Sequence, residues 1–400
     1  MKHTVIVGAG QAGASLAAKL RNLDYGGQIT LIGDEPALPY QRPPLSKKYL
    51  LGEMELERLY LRPERFYKEN DIRIVRGKHV SAIDRETCKL ELHGETLAYD
   101  QLALTTGASP RALPKAVGGD QDGVYAIRTL RDIDRIAPEF KPGRRVLIVG
   151  GGYIGLEAAA VAAKLGLNVT LIETADRILQ RVASRETSEY FRNLHAEHGV
   201  TILENVGLQR LLGGETIEAL LTNGSTKEVD FVIAGIGVIP NDQLAFAAGV
   251  HCDNGILVDS HGRTSDPRIW AAGDCTTFEY RSDLIRLESV QNAVDQAETI
   301  AANIMGAGER YTPKPWFWSD QYDVKLQIAG LNSGYDQVVV RRGSSTRTCS
   351  HWYFRDGNLL AVDAMNDPRN YMIGKRLIEA NSSPAPEQVA DSGFELKSLL

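Results

Sequence analysis

The chain has 400 residues, and its 45 Lys and Arg against 51 Asp and Glu give a formal net charge of −6. At roughly 150 residues per domain, this length predicts two or three domains that are each large enough to bury a core. With 43% hydrophobic and 24% charged residues, the composition is that of an ordinary globular protein. The acidic excess argues against a nucleic-acid binder that depends on an overall positive field.

Cysteine usage and the apolar stretches bear on the compartment. The four cysteines lie far apart, at Cys88, Cys252, Cys275 and Cys349. This spacing argues against a disulfide scaffold and a Cys-based zinc site, and it fits a reducing cytoplasm. The first apolar run stops at Gly8, and the most apolar stretch, 146–172, is interrupted by Glu157 and Lys164. We therefore expect a soluble cytoplasmic protein that binds neither nucleic acid nor membranes.

The first elements of the chain form a recognisable unit. A continuous apolar strand, Val5-Ile6-Val7, leads into Gly8-Ala9-Gly10-Gln11-Ala12-Gly13, which opens a helical stretch through Leu20. A second apolar strand, 29–32, then leads to the acidic pair Asp34-Glu35. Continuous apolar strands are typical of a parallel sheet that is covered on both faces.

The same unit recurs in the middle of the chain. Val146-Leu147-Ile148-Val149 leads into Gly150-Gly151-Gly152-Tyr153-Ile154-Gly155, a helix to about Leu165, a strand at 169–172 and then Glu173. In such a turn the first glycine permits the tight bend, the second admits a pyrophosphate and the third lets the helix pack on the strand. The helix N-terminus offers amides to the phosphates, and the acid about 20 residues on binds ribose hydroxyls.

Two dinucleotide sites in one chain indicate a flavin and a nicotinamide, because electrons must pass between two bound carriers. We expect FAD at the first copy, on Gly8, Gly10 and Gly13, and NAD at the second, on Gly150, Gly152 and Gly155. Two further segments fit the FAD unit. The strand pattern 99–107 ends at a Thr-Gly turn, and 264–274 ends in Asp274, which is placed to accept a ribityl hydroxyl.

Several short segments carry a family resemblance. They are Gly33-Asp34-Glu35, Arg42-Pro43-Pro44-Leu45-Ser46-Lys47, Arg128-Thr129-Leu130, the second glycine turn with Leu156-Glu157, Gly235-Ile236-Gly237-Val238-Ile239-Pro240-Asn241, Gly273-Asp274-Cys275, Glu288-Ser289-Val290 and Trp316-Phe317-Trp318-Ser319-Asp320-Gln321-Tyr322. On these segments the sequence resembles the glutathione-reductase-type flavoproteins. More narrowly, it resembles the NADH-dependent, putidaredoxin reductase-like ferredoxin reductases that serve bacterial P450 and ring-hydroxylating dioxygenase systems.

The resemblance implies an α/β fold with two Rossmann-like dinucleotide-binding domains, for FAD and NAD, and a smaller C-terminal α/β domain. The implied boundaries are 1–115 and 241–312 for the FAD-binding domain, 116–240 for the NAD-binding domain and 313–400 for the C-terminal domain. The sequence independently allows these boundaries, since 110–123 is rich in Pro and Gly, and Pro313 and Pro315 mark a second linker. The segment 381–392 has the composition of an irregular tail.

The resemblance also implies site residues. Lys47 and Glu157 are expected as an ion pair near the flavin N5 edge, where Lys47 stabilises charge on the reduced flavin and Glu157 orients the nicotinamide amide. Further family positions that contact the cofactors are Ala12, Arg42, Val80, Arg128, Ile154, Gly237, Val290 and Trp318. The aromatic ring of Trp318 is expected near the isoalloxazine, with Trp316 closer to the electron acceptor.

The acids after the strands govern nucleotide choice. A carboxylate at Glu173 accepts hydrogen bonds from the ribose hydroxyls of NADH and repels the 2′-phosphate of NADPH, which predicts NADH. Arg177 and Arg181 follow, and arginines in this neighbourhood can instead bind a phosphate. For the FAD ribose, spacing alone does not separate Asp34 from Glu35, and the family pattern favours Asp34.

The cysteine positions limit the chemistry. Disulfide reductases of this superfamily carry a redox Cys pair beside the flavin, and its peroxidase-like members carry one reactive Cys in the region that corresponds to 40–50, where this chain has none. We interpret Cys275 as a packed residue, so the electrons must leave the chain, and a [2Fe–2S] ferredoxin feeding a P450 or dioxygenase fits best. Docking an acidic ferredoxin needs a local basic patch. The candidates are Arg65, Arg310, Lys314, Arg341 and Arg342.

Other functions remain open from the sequence. A rubredoxin reductase or a stand-alone NADH oxidase or diaphorase would use the same cofactors. An apoptosis-inducing-factor-like binding module is disfavoured by the lack of a targeting segment and of a strongly basic surface, and flavin monooxygenases lack the Pro-Pro-Leu-Ser-Lys pattern. No metal site is expected: His195 and His198 are three apart on a predicted helix, without a third ligand, and we interpret them as a solvated face.

Overall fold

The computed structural model describes residues 2–400 and divides into two compact units, each built from three chain segments. The first unit takes the chain up to Arg42, then Glu55–Ser109 and Val238–Pro315. The second unit takes Pro43–Met54, Pro110–Gly237 and Trp316–Leu400.

The first unit is built on a parallel five-stranded sheet. Its strand order is Ile269–Ala271, Gln101–Leu104, His3–Val7, Gln28–Ile32 and Ile72–Val75. The helices Gln11–Asn22 and Val290–Ile304 share one buried core with this sheet, in which Leu16, Leu20 and Ile300 are 0% exposed. Because both faces of the central strand are covered, Val5-Ile6-Val7 is apolar without alternation.

Smaller elements complete the first unit. They are the helices Leu56–Leu59, Glu64–Glu69 and Gln243–Ala247, the antiparallel sheet Val80–Asp84, Lys89–Leu92 and Glu95–Ala98, the sheet Ile256–Leu257, Thr276–Tyr280 and Asp283–Ile285, and the paired strands Ala108–Pro110 and Val238–Pro240. A second buried core lies between the parallel sheet and the antiparallel one and includes Val5, Val7 and Leu90.

The second unit contains a matching parallel sheet. Its strand order is Thr201–Glu204, Asn168–Glu173, Arg145–Val149, Phe231–Ala234 and Val124–Tyr125. The helices of this part are Leu130–Ile136, Tyr153–Lys164 and Arg185–Glu197, with short 3₁₀ turns at Pro43–Ser46, Lys115–Val117 and Ala137–Glu139. An antiparallel sheet of Leu208–Leu212, Ile217–Leu221 and Thr226–Val229 packs against the parallel sheet around Val149 and Leu221.

The end of the chain adds an antiparallel five-stranded sheet to the second unit. Its order is Trp316–Gln321, Val324–Gly330, Asn358–Met365, Cys349–Arg355 and Gln337–Arg342, and it is followed by the helices Pro368–Glu379 and Pro386–Ala390 and a 3₁₀ turn at Leu396–Leu399. This arrangement gives the predicted fold class, two Rossmann-like α/β regions followed by a C-terminal region of sheet and helix. In residues 2–400, no helix combines the length and apolarity that a membrane span requires.

The prediction of an irregular tail at 381–392 is wrong for the middle of this segment. Pro386–Ala390 is helical, and Val389 is 0% exposed. Arg341 holds this segment, since its guanidinium donates to the carbonyl oxygens of Val389 at 2.9 Å and of Phe394 at 2.8 Å. The same contacts overturn the prediction that Arg341 belongs to a docking patch, because Arg341 is 8% exposed. Its neighbour Arg342 is exposed, as are the other three candidates, Arg65, Arg310 and Lys314.

Candidate functional site

In the first glycine turn, residues 8–13, two glycines pack against backbone and one faces open space. Gly8 has φ +112°, and a Cβ built on it would lie 2.1 Å from the carbonyl oxygen of Thr105. A Cβ on Gly13 would lie 2.0 Å from the carbonyl oxygen of Gly8. A Cβ on Gly10, by contrast, meets nothing within 4 Å. The turn therefore leaves room beside Gly10, as the approach of a pyrophosphate requires.

The second glycine turn, residues 150–155, has the same geometry. Gly150 has φ +110°, and a Cβ on it would lie 2.4 Å from the carbonyl oxygen of Gly235. A Cβ on Gly155 would lie 2.1 Å from the carbonyl oxygen of Gly150, whereas one on Gly152 meets nothing within 4 Å. Each unit of the molecule thus carries its own open cradle.

The helices behind the two cradles differ from the other long helices in how they begin. The helices that start at Gln11 and Tyr153 have glycine N-caps and no side-chain cap. Four other helices are capped by a side chain, from Thr129, Ser184, Ser289 and Asp367. Uncapped N-terminal amides that face open space can donate to phosphate oxygens, and the helix dipole favours negative charge there. The residues present therefore fit a dinucleotide in each cradle.

The acids that follow the strands are placed differently in the two units. The Glu173 carboxylate accepts hydrogen bonds from the backbone N–H groups of Gly151, at 2.7 Å, and Ala175, at 2.9 Å. Asp34 is exposed, and the carboxylate of Glu35 is occupied by the Tyr40 hydroxyl and by Arg42, the latter at 2.7 Å. The ion pair with Glu35 places Arg42 beside these acids. Burial by itself would lower the pKa of the Arg42 guanidinium, but the neighbouring Tyr40 hydroxyl and Glu35 carboxylate outweigh burial and raise it.

Lys47 and Glu157 meet inside the second unit. The Lys47 Nζ lies 2.9 Å from Glu157 Oε1, with side-chain exposures of 14% and 6%. Glu157 sits in the first turns of the helix behind the second cradle, two residues after Gly155, and Lys47 follows the 3₁₀ turn Pro43–Ser46. Two hydroxyls complete the contacts of the carboxylate: Ser46 Oγ donates to Oε2 at 2.8 Å, and Ser319 Oγ donates to Oε1 at 2.7 Å. A largely buried carboxylate with three donors is held in one orientation.

The remaining predicted residues lie in both units. In the first unit, Ala12 is buried in the cradle helix, Val80 is buried at a strand start, Asp274 follows the buried strand Ile269–Ala271, and Val290 begins a helix just after its Ser289 cap. In the second unit, Arg128 precedes the capped helix Leu130–Ile136, and Gly237 has φ +96°. Ile154, beside the second cradle, is 41% exposed, which is unusual for a large apolar side chain.

Two tryptophans lie side by side on the strand Trp316–Gln321. The ring centroids of Trp316 and Trp318 are 5.5 Å apart, as expected for residues two apart on one face of a strand. The Lys375 Nζ lies 5.5 Å from the centroid of Trp316. Both tryptophan side chains are partly exposed, so they are not ordinary core residues.

Three of the four cysteines have the character of packing residues. All four are free thiols. Cys275 is 0% exposed, with its sulfur beside the carbonyl oxygens of Ala272 and Leu104, and burial raises its pKa. Burial also raises the pKa values of Cys252 and Cys349 to about 11. A raised pKa suppresses the thiolate that redox or nucleophilic chemistry requires.

The interpretation of His195 and His198 as a solvated face is wrong for His195, which is 0% exposed. Its Nε2 lies 2.8 Å from Gln321 Oε1 and its Nδ1 lies 3.1 Å from the Tyr322 hydroxyl. His198 is exposed, in agreement with that interpretation, and its ring stacks on the Tyr322 ring. No group of three or more His, Cys, Asp or Glu that could hold a metal ion exists among residues 2–400.

The sequence reasoning missed three polar residues near Glu157: Ser46, Ser319 and Gln321. Ser319 and Gln321 are both 0% exposed, and the Gln321 Nε2 donates to Ser319 Oγ at 3.1 Å. The signal was present, because Ser46 lies in the Pro-Pro-Leu-Ser-Lys segment and the other two lie in Phe-Trp-Ser-Asp-Gln. Besides the residues that were predicted from them, these two segments therefore supply hydroxyl and amide groups around Glu157.

Comparison with known proteins shows which families and relatives the chain resembles. Residues 2–297 match the family described as pyridine nucleotide-disulphide oxidoreductase, and residues 316–400 match a family described as reductase C-terminal. The rhodocoxin reductase of Rhodococcus erythropolis is 42% identical over 98% of this chain and 93% of its own length. The anthranilate 1,2-dioxygenase system ferredoxin–NAD(+) reductase component of Burkholderia cepacia is 41% identical, over 99% of this chain and 98% of its own.

Among solved structures, the covalent putidaredoxin reductase–putidaredoxin complex matches with a TM-score of 0.96 and 39% identity, over 100% of this chain and 98% of that one. These likenesses run through both units and include the C-terminal sheet. The chain therefore belongs to the pyridine nucleotide-disulphide oxidoreductase family and, within it, to the putidaredoxin reductase-like ferredoxin reductases.

Proposed function

We propose that this chain is an NADH:ferredoxin oxidoreductase, a flavoprotein that takes electrons from NADH through FAD to a [2Fe–2S] ferredoxin. That ferredoxin in turn supplies a P450 or a ring-hydroxylating dioxygenase. The observation that carries the proposal is the presence of two open phosphate cradles in one chain, at Gly10 and Gly152. Relatives that are about 40% identical over the full chain are ferredoxin reductases by name, which supports the choice of acceptor.

The residues divide the work as follows. The first cradle binds the pyrophosphate of FAD, with Asp34 on its ribose, and the second cradle binds the pyrophosphate of NADH. When bound, FAD supplies a carrier that accepts a hydride and releases electrons singly. Glu157 orients the nicotinamide amide, and Lys47 places a positive charge where the reduced flavin carries negative charge. Their mutual ion pair and low exposure keep both groups fixed and out of water.

The nucleotide is NADH rather than NADPH. Glu173 ends its strand beside the second cradle, where a carboxylate pairs with two ribose hydroxyls and repels a 2′-phosphate. Arg177 is engaged elsewhere, since its guanidinium donates to Ser184 and Ser188 at 3.0 and 2.5 Å. That leaves the exposed Arg181 as the nearby cation that could meet a phosphate.

We assign the chain to three functional parts: an FAD-binding domain at 1–115 and 241–312, an NAD-binding domain at 116–240 and a C-terminal domain at 313–400. The boundary at 313 is supported by the separate family match that begins at residue 316. We place the protein in the cytoplasm, which its four free thiols support.

Anaerobic titration tests the proposal. The purified holoprotein should be yellow, one NADH per FAD should bleach the flavin absorbance, and reduced protein should reduce a [2Fe–2S] ferredoxin in a stopped-flow mixer. A panel of ferredoxins, a rubredoxin and dioxygen, each with the same enzyme batch, identifies the acceptor. Turnover with oxygen alone would show an NADH oxidase, and turnover with rubredoxin alone a rubredoxin reductase. Slow NADH oxidation with a long-lived charge-transfer complex would indicate the apoptosis-inducing-factor-like function.

A further inference from the structure

A continuous line of buried polar side chains leads from Glu157 through the second unit. Glu157 Oε1 lies 2.7 Å from Ser319 Oγ, which lies 3.1 Å from Gln321 Nε2. Gln321 Oε1 lies 2.8 Å from His195 Nε2, and His195 Nδ1 lies 3.1 Å from the Tyr322 hydroxyl. Ser319, Gln321 and His195 are each 0% exposed, whereas Tyr322 at the far end is partly exposed.

The carboxylate at one end fixes the direction of every hydrogen bond in this line. Ser319 has one hydroxyl proton and gives it to Glu157, so it must accept from the amide of Gln321. The Gln321 oxygen then faces His195, which must carry its proton on Nε2. His195 Nδ1 is consequently an acceptor, and Tyr322 donates to it. Any other tautomer or amide orientation would leave two donors or two acceptors facing each other in the interior.

We propose that Tyr322, His195, Gln321 and Ser319 form a donor chain that holds the Glu157 carboxylate in one orientation for the nicotinamide. This inference rests on the proposed function, since it assigns these four side chains as positioning residues for Glu157. The donor chain does not act as a proton relay, because the Gln321 amide holds its protons. Its effect is electrostatic and geometric: aligned donors polarise one another, and all of them point toward the negative charge.

The neutral state of the His195 ring keeps every hydrogen bond of the donor chain directed toward Glu157. A histidine cation would present N–H groups on both sides and would turn the Tyr322 hydroxyl from donor to acceptor. Burial lowers the pKa of His195 to about 4, from its usual 6.5, so the neutral ring persists through the neutral range. Lys47 and Ser46 bind Glu157 from the other side and do not depend on this tautomer.

The first test observes the tautomer of His195 directly and does not measure turnover. In protein labelled with ¹⁵N-histidine, the His195 ring, assigned by loss of its signals in His195→Gln, should show the neutral Nε2–H tautomer from pH 8 down to about pH 5. Tyr322→Phe should perturb the His195 Nδ1 shift, since it removes only the donating hydroxyl. A ring protonated on Nδ1, or one that titrates near its usual pKa of about 6.5, overturns the inference.

The second test measures the limiting rate of flavin reduction by NADH in stopped flow. By the usual worth of a hydrogen bond to a charged group, Ser319→Ala should lower this rate about 10-fold, Gln321→Leu a similar amount and Tyr322→Phe about 2-fold. His198→Phe is the matched control: it keeps a ring on Tyr322 and removes an imidazole outside the donor chain.

Different results would contradict the proposed function and the proposed donor chain. If wild-type protein does not transfer electrons from NADH to its flavin, the proposed function is wrong. If wild type does so and Ser319→Ala and Tyr322→Phe reduce the flavin at wild-type rates, the donor chain is wrong while the function stands. Equal losses of rate in the three variants and in His198→Phe would indicate general destabilisation and would also overturn the inference.

Discussion

Gly10 and Gly152 occupy equivalent positions in the two glycine turns, and a Cβ built on either one meets nothing within 4 Å. The first and third glycines of each turn are equally alike, since a Cβ built on any of them would lie within 2.4 Å of a carbonyl oxygen. Two residues after the third glycine, however, the first helix has Ser15 and the second has Glu157. The backbone of the cradle is thus common to both units, and the chemistry depends on the side chains added around it.

The surroundings of the two cradles extend this difference. The first cradle helix packs by an apolar face against Val290–Ile304, in a core of residues such as Leu16 and Ile300. The second places Glu157 among Lys47, Ser46 and Ser319. A fixed charge suits the site where a second dinucleotide must be oriented for hydride transfer.

The largest effects are expected when the third glycine of either cradle is substituted, and they should show which dinucleotide each cradle binds. A Cβ on Gly13 would meet the Gly8 carbonyl oxygen at 2.0 Å, so Gly13→Ala must displace backbone, at a cost of about 1–3 kcal/mol or more. We expect this variant to be purified largely without FAD, as measured by the ratio of absorbance near 450 nm to that at 280 nm, because flavins absorb at about 450 nm.

Gly155→Ala is the matched change in the second cradle, where the clash with the Gly150 carbonyl oxygen is at 2.1 Å. It should retain FAD and raise the dissociation constant for NADH about 10-fold or more, by the same overpacking cost. Loss of FAD in both variants, or in Gly155→Ala alone, would contradict the assignment of one dinucleotide to each cradle.

The next largest effect is expected at Glu157, the position at which the two cradle helices differ. Glu157→Ala should leave FAD bound and lower the rate of flavin reduction by NADH about 100-fold, as removal of a preorganised polar group usually does. Lys47→Ala should have an effect of the same order, since it leaves Glu157 without its ion pair. Rapid mixing under anaerobic conditions measures both rates. Ser15→Ala, at the position that corresponds to Glu157 in the first helix, is the control, and wild-type rates in Glu157→Ala would disprove its role.

Much of this organisation could be predicted from the sequence, because continuous apolar strands and glycine turns impose it locally. The buried state of His195 was also signalled: on the helix Arg185–Glu197 it lies four residues after Phe191 and next to Leu194, on the buried face. The i, i+3 spacing with His198, without a third metal ligand, led instead to the interpretation of both histidines as a solvated face. Arg341 similarly lies two residues after Val339 on one face of its strand, but its partners are carbonyl oxygens 48 to 53 residues away. Such long-range partners have no local sequence pattern.

The loss of folding stability at acidic pH should also distinguish the two units, because the second unit buries His195. The folded-state pKa of about 4 lies below the unfolded value of 6.5, so between these values the unfolded chain binds a proton that the folded chain does not. Stability is therefore lost as pH falls through this window. From pH 7 to pH 5, wild type should lose about 2 kcal/mol more than His195→Gln in urea unfolding.

Two features make that comparison specific. Burial raises the pKa of Asp363 to about 6, which has the opposite sign, but this contribution is common to wild type and variant and cancels. His251→Gln changes an exposed histidine of the first unit, and it should follow wild type. Equal losses in wild type and His195→Gln would show that His195 is solvated or charged in the folded protein.

The smallest effect tests the acid that ends the second strand. Glu173→Gln removes the charge that repels a 2′-phosphate and weakens the pairing with ribose hydroxyls, while its amide can still lie near Gly151 and Ala175. We expect kcat/KM for NADH to fall about 10-fold and that for NADPH to rise or stay constant, so the preference narrows by at least about 10-fold. Asp34→Asn is the corresponding change in the first unit, and it should alter FAD retention without changing the preference between nucleotides. Because both substitutions remove one charge, a changed preference in both would point to the general electrostatic field. A change in Glu173→Gln alone would locate nucleotide choice at the second cradle.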